Sequence, residues 1–364
     1  MNTKQRFGSS RGVFCPYKSS IKTITDYLKL FVLMVGALIG VGFISGAEIY
    51  QFFARFKNGF VFGILAFFIL LFVLTMRILD NNKDCKTYLK MFNLNKNHAN
   101  NTFYQKTKIK LFLQNLSVVL VAGAMVSGLK NLILNLLNDN YYLFFCFCLV
   151  VVFFLLYFGV DWLAKFNIFV VFIICVMVVA MAQSLNCCTE KLGEMFSFEA
   201  EFYSFKNITI PILFSGIYVF MNIVQIKPVC DAVGVKYNKK LNIVYSLIFS
   251  FIMSLVVFVF VLFLNKHRYL CEFDMPLLSF FKINGNKHLL RLFLVGMFAC
   301  LISTLLSCLI GIKERLKTVF HSNLYQTFLS IMLAVLVGTL DFSVFISLIY
   351  PLIGVINFIV FVFL

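Results

Sequence analysis

The densest run of chemically useful residues in this chain is Gly40-Val41-Gly42-Phe43-Ile44-Ser45-Gly46-Ala47-Glu48. Gly40, Gly42, Ser45 and Gly46 are small residues that weaken a helix and let a ligand approach backbone. N–H groups freed at a helix break can bind an anionic group such as an amino-acid carboxylate. The other use of the same glycines is close helix packing, through Gly36 with Gly40 or Gly42 with Gly46. Glu48 is the one acidic residue well inside an apolar run. A charge at the centre of a membrane helix costs roughly 2.5–3.5 kcal/mol, so Glu48 should face protein or a water-filled cavity. There it would carry a proton or cation, or hold a substrate ammonium; the plainer reading is an interfacial carboxylate paired with Arg55. Ser45, Glu48, Gln51 and Arg55 share one helical face and form a polar stripe leading away from the glycines.

Two further clusters could complete a site. Ser215, Tyr218, Asn222 and Gln225 also share one helical face, although Asn and Gln in a membrane helix commonly hydrogen-bond a neighbouring helix. Ser303, Thr304 and Ser307, with Cys300 beside them, carry hydroxyls that can coordinate Na⁺ together with carbonyls of a broken helix; alternatively they bond back to their own helix. Lys165 is a candidate fixed cation or a snorkelling lysine. The four histidines sit in or beside polar loops, and no cysteine spacing suits a metal, so haem and metalloenzyme chemistry are excluded and no cofactor or enzyme activity is expected. Cys187, Cys188 and Cys271 fall in loops placed outside the cell, where one disulfide can form.

The elements that position these residues follow from composition. Of 364 residues, 61% are hydrophobic and 13% charged, which excludes a water-soluble globular protein. Ten apolar runs predict ten spans at about 28–53, 59–79, 109–136, 141–159, 162–183, 207–226, 241–265, 289–312, 324–340 and 343–364. The class is therefore an all-α polytopic membrane protein. A net charge of +17 would suggest a nucleic-acid partner in a soluble domain. Here the basic residues lie between the apolar runs, where they orient helices and meet anionic headgroups, so no nucleic acid is expected. Counted by side, 22 Lys and Arg fall with the N-terminus and 10 opposite, which places both termini in the cytoplasm. Residues 1–27 read as a basic cytoplasmic tail, and 28–364 as one membrane domain.

Spans 1 and 6 both carry helix-weakening residues, the glycine run in the first and Pro211 with Ser215-Gly216 in the second. They open two five-span halves, about 28–183 and 207–364. Because five is odd, the halves must be inverted relative to each other. Interrupted segments at matching positions of two halves point to a transporter site near the midplane.

The stretch Gly40-Val41-Gly42-Phe43-Ile44-Ser45-Gly46-Ala47-Glu48-Ile49, followed by Gln51-Phe52-Phe53-Ala54-Arg55-Phe56 and Gly59, resembles the first span of the YkvI-like family of bacterial membrane proteins. Looser agreement extends to Ser127-Gly128, Asn167, Tyr218, Asn222, Tyr350-Pro351 and Gly354. That family looks like a branch of the amino acid, polyamine and organocation transporter superfamily. The resemblance implies a LeuT-type five-plus-five inverted repeat with broken helices 1 and 6, in a bacterial inner membrane. It also implies that the Gly40-Val41-Gly42 backbone receives a substrate carboxylate. The resulting expectation is a secondary transporter of an amino acid or related zwitterion or cation, coupled to Na⁺ or H⁺. Its substrate-binding residues would be Gly40, Gly42, Phe43, Ser45, Gly46, Glu48, Ser215, Tyr218 and Asn222. The alternative is a receptor or assembly subunit that keeps the fold without transporting. Substrate identity and oligomeric state stay open.

Overall fold

The computed structural model describes residues 16–56, 59–81, 101–134, 141–158, 160–186, 205–233, 238–284, 287–317, 320 and 322–363. The described residues form helices joined by short turns, with no strand among them. Seven helices are long and apolar enough to cross a membrane, and two shorter apolar helices, Tyr142–Tyr157 and Asn323–Val337, supply spans 4 and 9. With the interrupted first span, the described residues hold ten crossing segments.

Span 1 consists of Pro16–Leu38, Val41–Ile44, Ala47–Ile49 and a π-helical turn Tyr50–Ala54. Its first helix begins within the expected tail: Pro16 is the first helical residue, where a fixed φ and a missing N–H cost nothing. The remaining spans are span 2 Phe60–Asn81, span 3 Asn101–Leu134, span 4 Tyr141–Phe158, span 5 Val160–Asn186 and span 6 Phe205–Val233. After them come span 7 Lys239–Lys266, a short helix Pro276–Asn284, span 8 Lys287–Leu316 and span 9 Asn323–Val337. Span 10 starts at Phe342–Val344 and runs through a π-helical turn Phe345–Ile349 into Tyr350–Phe363.

The expected break in span 6 is absent, for Phe205–Val233 is one helix that contains both Pro211 and Pro228. Each proline lacks the N–H that closes a helical turn, yet each is braced by a glycine of a neighbouring span. Gly59 packs against the Asn207 carbonyl and Pro211, and Gly311 against Pro228. Gly354 of span 10 backs closely onto the Ile217 carbonyl. These glycines let backbones approach, and that packing keeps the helix whole.

The contacts between spans come in related pairs. Span 1 lies against spans 5 and 8 as span 6 lies against spans 10 and 3. Span 3 touches spans 9, 10 and 4 as span 8 touches spans 4, 5 and 9. Adding five to a span number maps one set onto the other, which is the pattern of a five-plus-five repeat. Spans 3 and 8 are enclosed by protein along most of their length, whereas spans 2 and 5 face largely outward. The outward faces carry apolar side chains such as Leu65, Ile69, Phe169 and Phe172. Spans 1 and 6 cross at the centre of this frame.

Candidate functional site

The break in span 1 has a defined local cause. The helix ends at Leu38, and Gly40 is extended (φ −91°, ψ −172°) before the turn Val41–Ile44. Gly46 then adopts φ +84°, a left-handed conformation that an L side chain rarely accepts. The Ser45 hydroxyl ties this knot by donating to the Gly42 carbonyl at 3.2 Å and accepting the Ala47 N–H at 3.4 Å. Helix resumes at Ala47, and its first turn carries Glu48.

Glu48 is 2% exposed, and its carboxylate accepts a hydrogen bond from the Tyr218 hydroxyl of span 6 at 3.1 Å. The side chain folds back over Gly42: a Cβ built on Gly42 would lie 2.1 Å from Glu48 Oε1. The Glu48 carboxyl therefore fills the space beside Gly42 that a side chain there would occupy. Tyr218 is ringed by Phe52, Phe53 and Phe67, with centroids 5.0, 5.4 and 5.9 Å away. Tyr350 of span 10 lies within electrostatic range of Glu48, and its buried hydroxyl has no hydrogen-bond partner among the described residues. Phe43 is buried against Phe260 of span 7 at 5.2 Å.

The polar stripes expected from helical spacing divide. From span 1, Ser45 secures the break and Glu48 faces Tyr218, while Gln51 accepts from the Arg55 guanidinium at 3.3 Å further out. Arg55 stacks over Phe214 and Phe56, 4.2 and 4.7 Å from their centroids, and does not pair with Glu48. It lines a cavity of about 350 Å³ together with Lys206, Asn207 and Pro211. From span 6, Tyr218 reaches the centre, with the Asn222 side chain beside its hydroxyl. Ser215 donates to its own helix at the Ile212 carbonyl, and the Asn222 amide donates to the Tyr218 carbonyl.

A second centre lies on the other side of the break. The Ser303 hydroxyl is 3.1 Å from the Gly36 carbonyl and 2.6 Å from Asn167 Oδ1. The Thr304 hydroxyl is 3.0 Å from Gly36 O, 3.1 Å from Ile39 O and 3.1 Å from Cys300 O. The Asn167 amide nitrogen donates to the Val32 carbonyl at 3.4 Å, which turns its oxygen inward. Two hydroxyl protons thus serve four acceptor oxygens, an electron-rich cluster suited to a hard cation. Of the three span 8 hydroxyls, Ser307 stays outside it, bonded to its own helix at the Ser303 carbonyl. Span 5 contributes Asn167 and not Lys165, which is exposed beside the Trp162 ring. Asn167 carried no ligand signal of its own beyond lying in an apolar run and agreeing with the YkvI-like pattern. Among the described residues no cluster of His, Cys, Asp and Glu could hold a transition metal.

Both ends of the bundle are closed around these centres. At the end bearing the N-terminus, the Tyr27 hydroxyl donates to Asn242 Oδ1 at 2.5 Å, and the Asn242 amide donates to Asp80 at 2.9 Å. Lys29 and Asp161 pair there as well. At the far end the short helix Pro276–Asn284 sits on the break: the Leu277 N–H donates to the Ser45 carbonyl at 2.9 Å, and the Leu277 side chain touches Gly46. That cap leans on His267, whose ring lies 4.8 Å from Phe263 and 5.0 Å from Phe280. Burial holds this imidazole below its usual range, and Lys266 adds in the same direction. Cys271 in this region carries a free thiol, and Cys187 and Cys188 lie outside the described residues.

The sequence matches no protein-family profile and no curated protein. Among solved structures the chain is similar to Mhp1, a nucleobase-cation-symport-1 family transporter, in a closed conformation with bromovinylhydantoin bound. The identity is 16% and the TM-score 0.59, over 91% of this chain and 77% of that one. The likeness shows the fold, a polytopic LeuT-type helical bundle.

Proposed function

We propose that this LeuT-type bundle is a secondary transporter of a small organic solute, working by alternating access about the break in span 1. In this reading the chain is a YkvI-like protein of a bacterial inner membrane, with both termini cytoplasmic, a placement that its basic-residue asymmetry supports. The solute is an amino acid or a related zwitterion or cation. Coupling to Na⁺ uses Gly36 O, Ile39 O, Asn167 Oδ1 and the hydroxyls of Ser303 and Thr304; coupling to H⁺ uses Glu48. The fold likeness to a cation symporter supports the reading.

The observation that carries it is the excess of acceptor oxygens between spans 1, 5 and 8. A cation there would bind the broken helix to the two spans beside it, so its arrival and departure would bias the position of span 1. The test is purified protein melted in NaCl against KCl at equal ionic strength, followed by uptake in proteoliposomes. Na⁺ is expected to raise Tm by several degrees in the parent chain and by less than one degree in Thr304→Val. No Na⁺ effect in the parent overturns Na⁺ coupling. Solute binding without uptake, in either gradient, overturns transport and points to a receptor.

A further inference from the structure

We propose that the central site takes an organic ammonium group and not a carboxylate, and that the ammonium replaces a proton on Glu48. This inference rests on the transporter reading for its consequence but on the geometry around Gly42 for its chemistry. In the usual expectation for a Gly-x-Gly break, the free backbone receives a substrate carboxylate. In this chain Glu48 occupies the Gly42 side of that ground. Glu48 Oε1 lies so close over Gly42 that a single added carbon would collide with it at 2.1 Å. A substrate carboxylate placed there would meet a second carboxylate in a buried setting, where both cannot be ionised together.

The surroundings favour the opposite charge. Glu48 receives one hydrogen bond, from Tyr218, and no cationic side chain among the described residues pairs with it. A carboxylate this enclosed needs a positive partner, either a proton or a cation. The titratable groups that face it are Tyr218 from span 6 and Tyr350 from span 10, with Cys308 of span 8 behind Tyr350. None of these supplies positive charge. The buried Tyr350 hydroxyl is without a partner among the described residues, which leaves one acceptor for an N–H donor near the carboxylate.

The exchange balances in charge and atoms. The Glu48 carboxyl O–H breaks and its proton leaves to water on the open side; the R–NH₃⁺ enters intact and pairs with the carboxylate. One positive charge enters and one leaves, so a transporter built on this site runs amine against proton without net charge movement.

The test uses the full chain in lipid nanodiscs and a series of probes: methylammonium to hexylammonium, putrescine and choline, against acetate to hexanoate. Thermal shift measures binding, and calorimetry in two buffers of different ionisation enthalpy counts protons. At least one amine is expected to raise Tm and to release close to one proton per molecule bound, while no carboxylate of the series stabilises. Glu48→Gln should abolish both effects, and Glu48→Asp should weaken binding by tenfold or more yet keep proton release. Stabilisation by a carboxylate, or failure of every amine, overturns the proposal on the parent chain alone, whether or not Glu48→Gln folds. Unchanged amine binding in a folded Glu48→Gln overturns it too. Binding with proton release, but with no amine-driven pH change in proteoliposomes, sustains the ammonium site while refuting transport.

Discussion

Gly42 shows how one missing side chain can set the chemistry of a site. Its lack of a Cβ admits the Glu48 carboxyl, and what a Cβ would strike is the flexible end of one side chain, not backbone. Gly42→Ala should therefore fold while swinging Glu48 away from Tyr218. The lost hydrogen bond to a carboxylate is worth about 1.5–3 kcal/mol, which corresponds to roughly tenfold or more in affinity for an amine probe. Wild-type affinity in a stable Gly42→Ala protein would remove Gly42 and the covering carboxyl from the binding site. The cost of Glu48 was legible in the sequence, because an acid inside an apolar run needs a reason. Its direction was not: helical spacing aligned it with Gln51 and Arg55, but the π-helical turn Tyr50–Ala54 breaks that register, and Glu48 alone of the three faces Tyr218 of span 6.

At the level of the elements, span 1 is divided between two jobs, one on each side of its break. Its first helix presents the Gly36 and Ile39 carbonyls to span 8, and its continuation presents Glu48 to span 6. Gly36 makes the first job feasible, since a Cβ there would lie 2.2 Å from Asn167 Nδ2 and 2.5 Å from Ser303 Oγ. Gly36→Ala is expected to push span 1 off spans 5 and 8, lowering Tm by several degrees and removing stabilisation by Na⁺; a Na⁺ shift equal to that of the parent would show that these oxygens do not bind it. Ten spans were readable from hydropathy, as was the weakness of span 1, because glycines and a run of apolar residues are local signals. The continuity of span 6 was not readable. Pro211 and Pro228 argue for a break when span 6 is taken alone, and only Gly59, Gly311 and Gly354 on three other spans supply the close packing that holds the helix together. For the same reason Ser215, Asn222 and Ser307 counted as candidates, although each satisfies its hydroxyl or amide on its own helix.

For the whole molecule, the pseudo-twofold pairing of spans makes the two ends of the bundle comparable, and the structure closes both. The far end is closed by a backbone hydrogen bond, Leu277 N–H to Ser45 O, from the short helix Pro276–Asn284. The N-terminal end is held by side chains that differ in worth. Lys29 and Asp161 pair at the surface, where Asp161 is 83% exposed, and such a pair contributes about 0–1 kcal/mol. Tyr27, Asn242 and Asp80 form a chain of two hydrogen bonds with Tyr27 and Asn242 buried, together worth about 1–3 kcal/mol. The buried chain should therefore dominate the closed state at this end. With a single cysteine at Ser307, a buried position on span 8 between the cation cluster and the N-terminal end, maleimide labelling reports opening. Asn242→Ala should speed that labelling by roughly tenfold and Asp161→Asn by at most about fivefold, the ratios that these energies imply for a closed-to-open equilibrium. Both substitutions leave the centres around Glu48 and Thr304 untouched, so an increase in labelling reads the gate and not the site. Equal rates in Asn242→Ala and its parent would mean that the N-terminal end is held shut by the packing of Tyr27, Phe31, Tyr245 and Phe249, whose rings stack within 5.4–6.5 Å of one another, and not by the hydrogen-bonded chain.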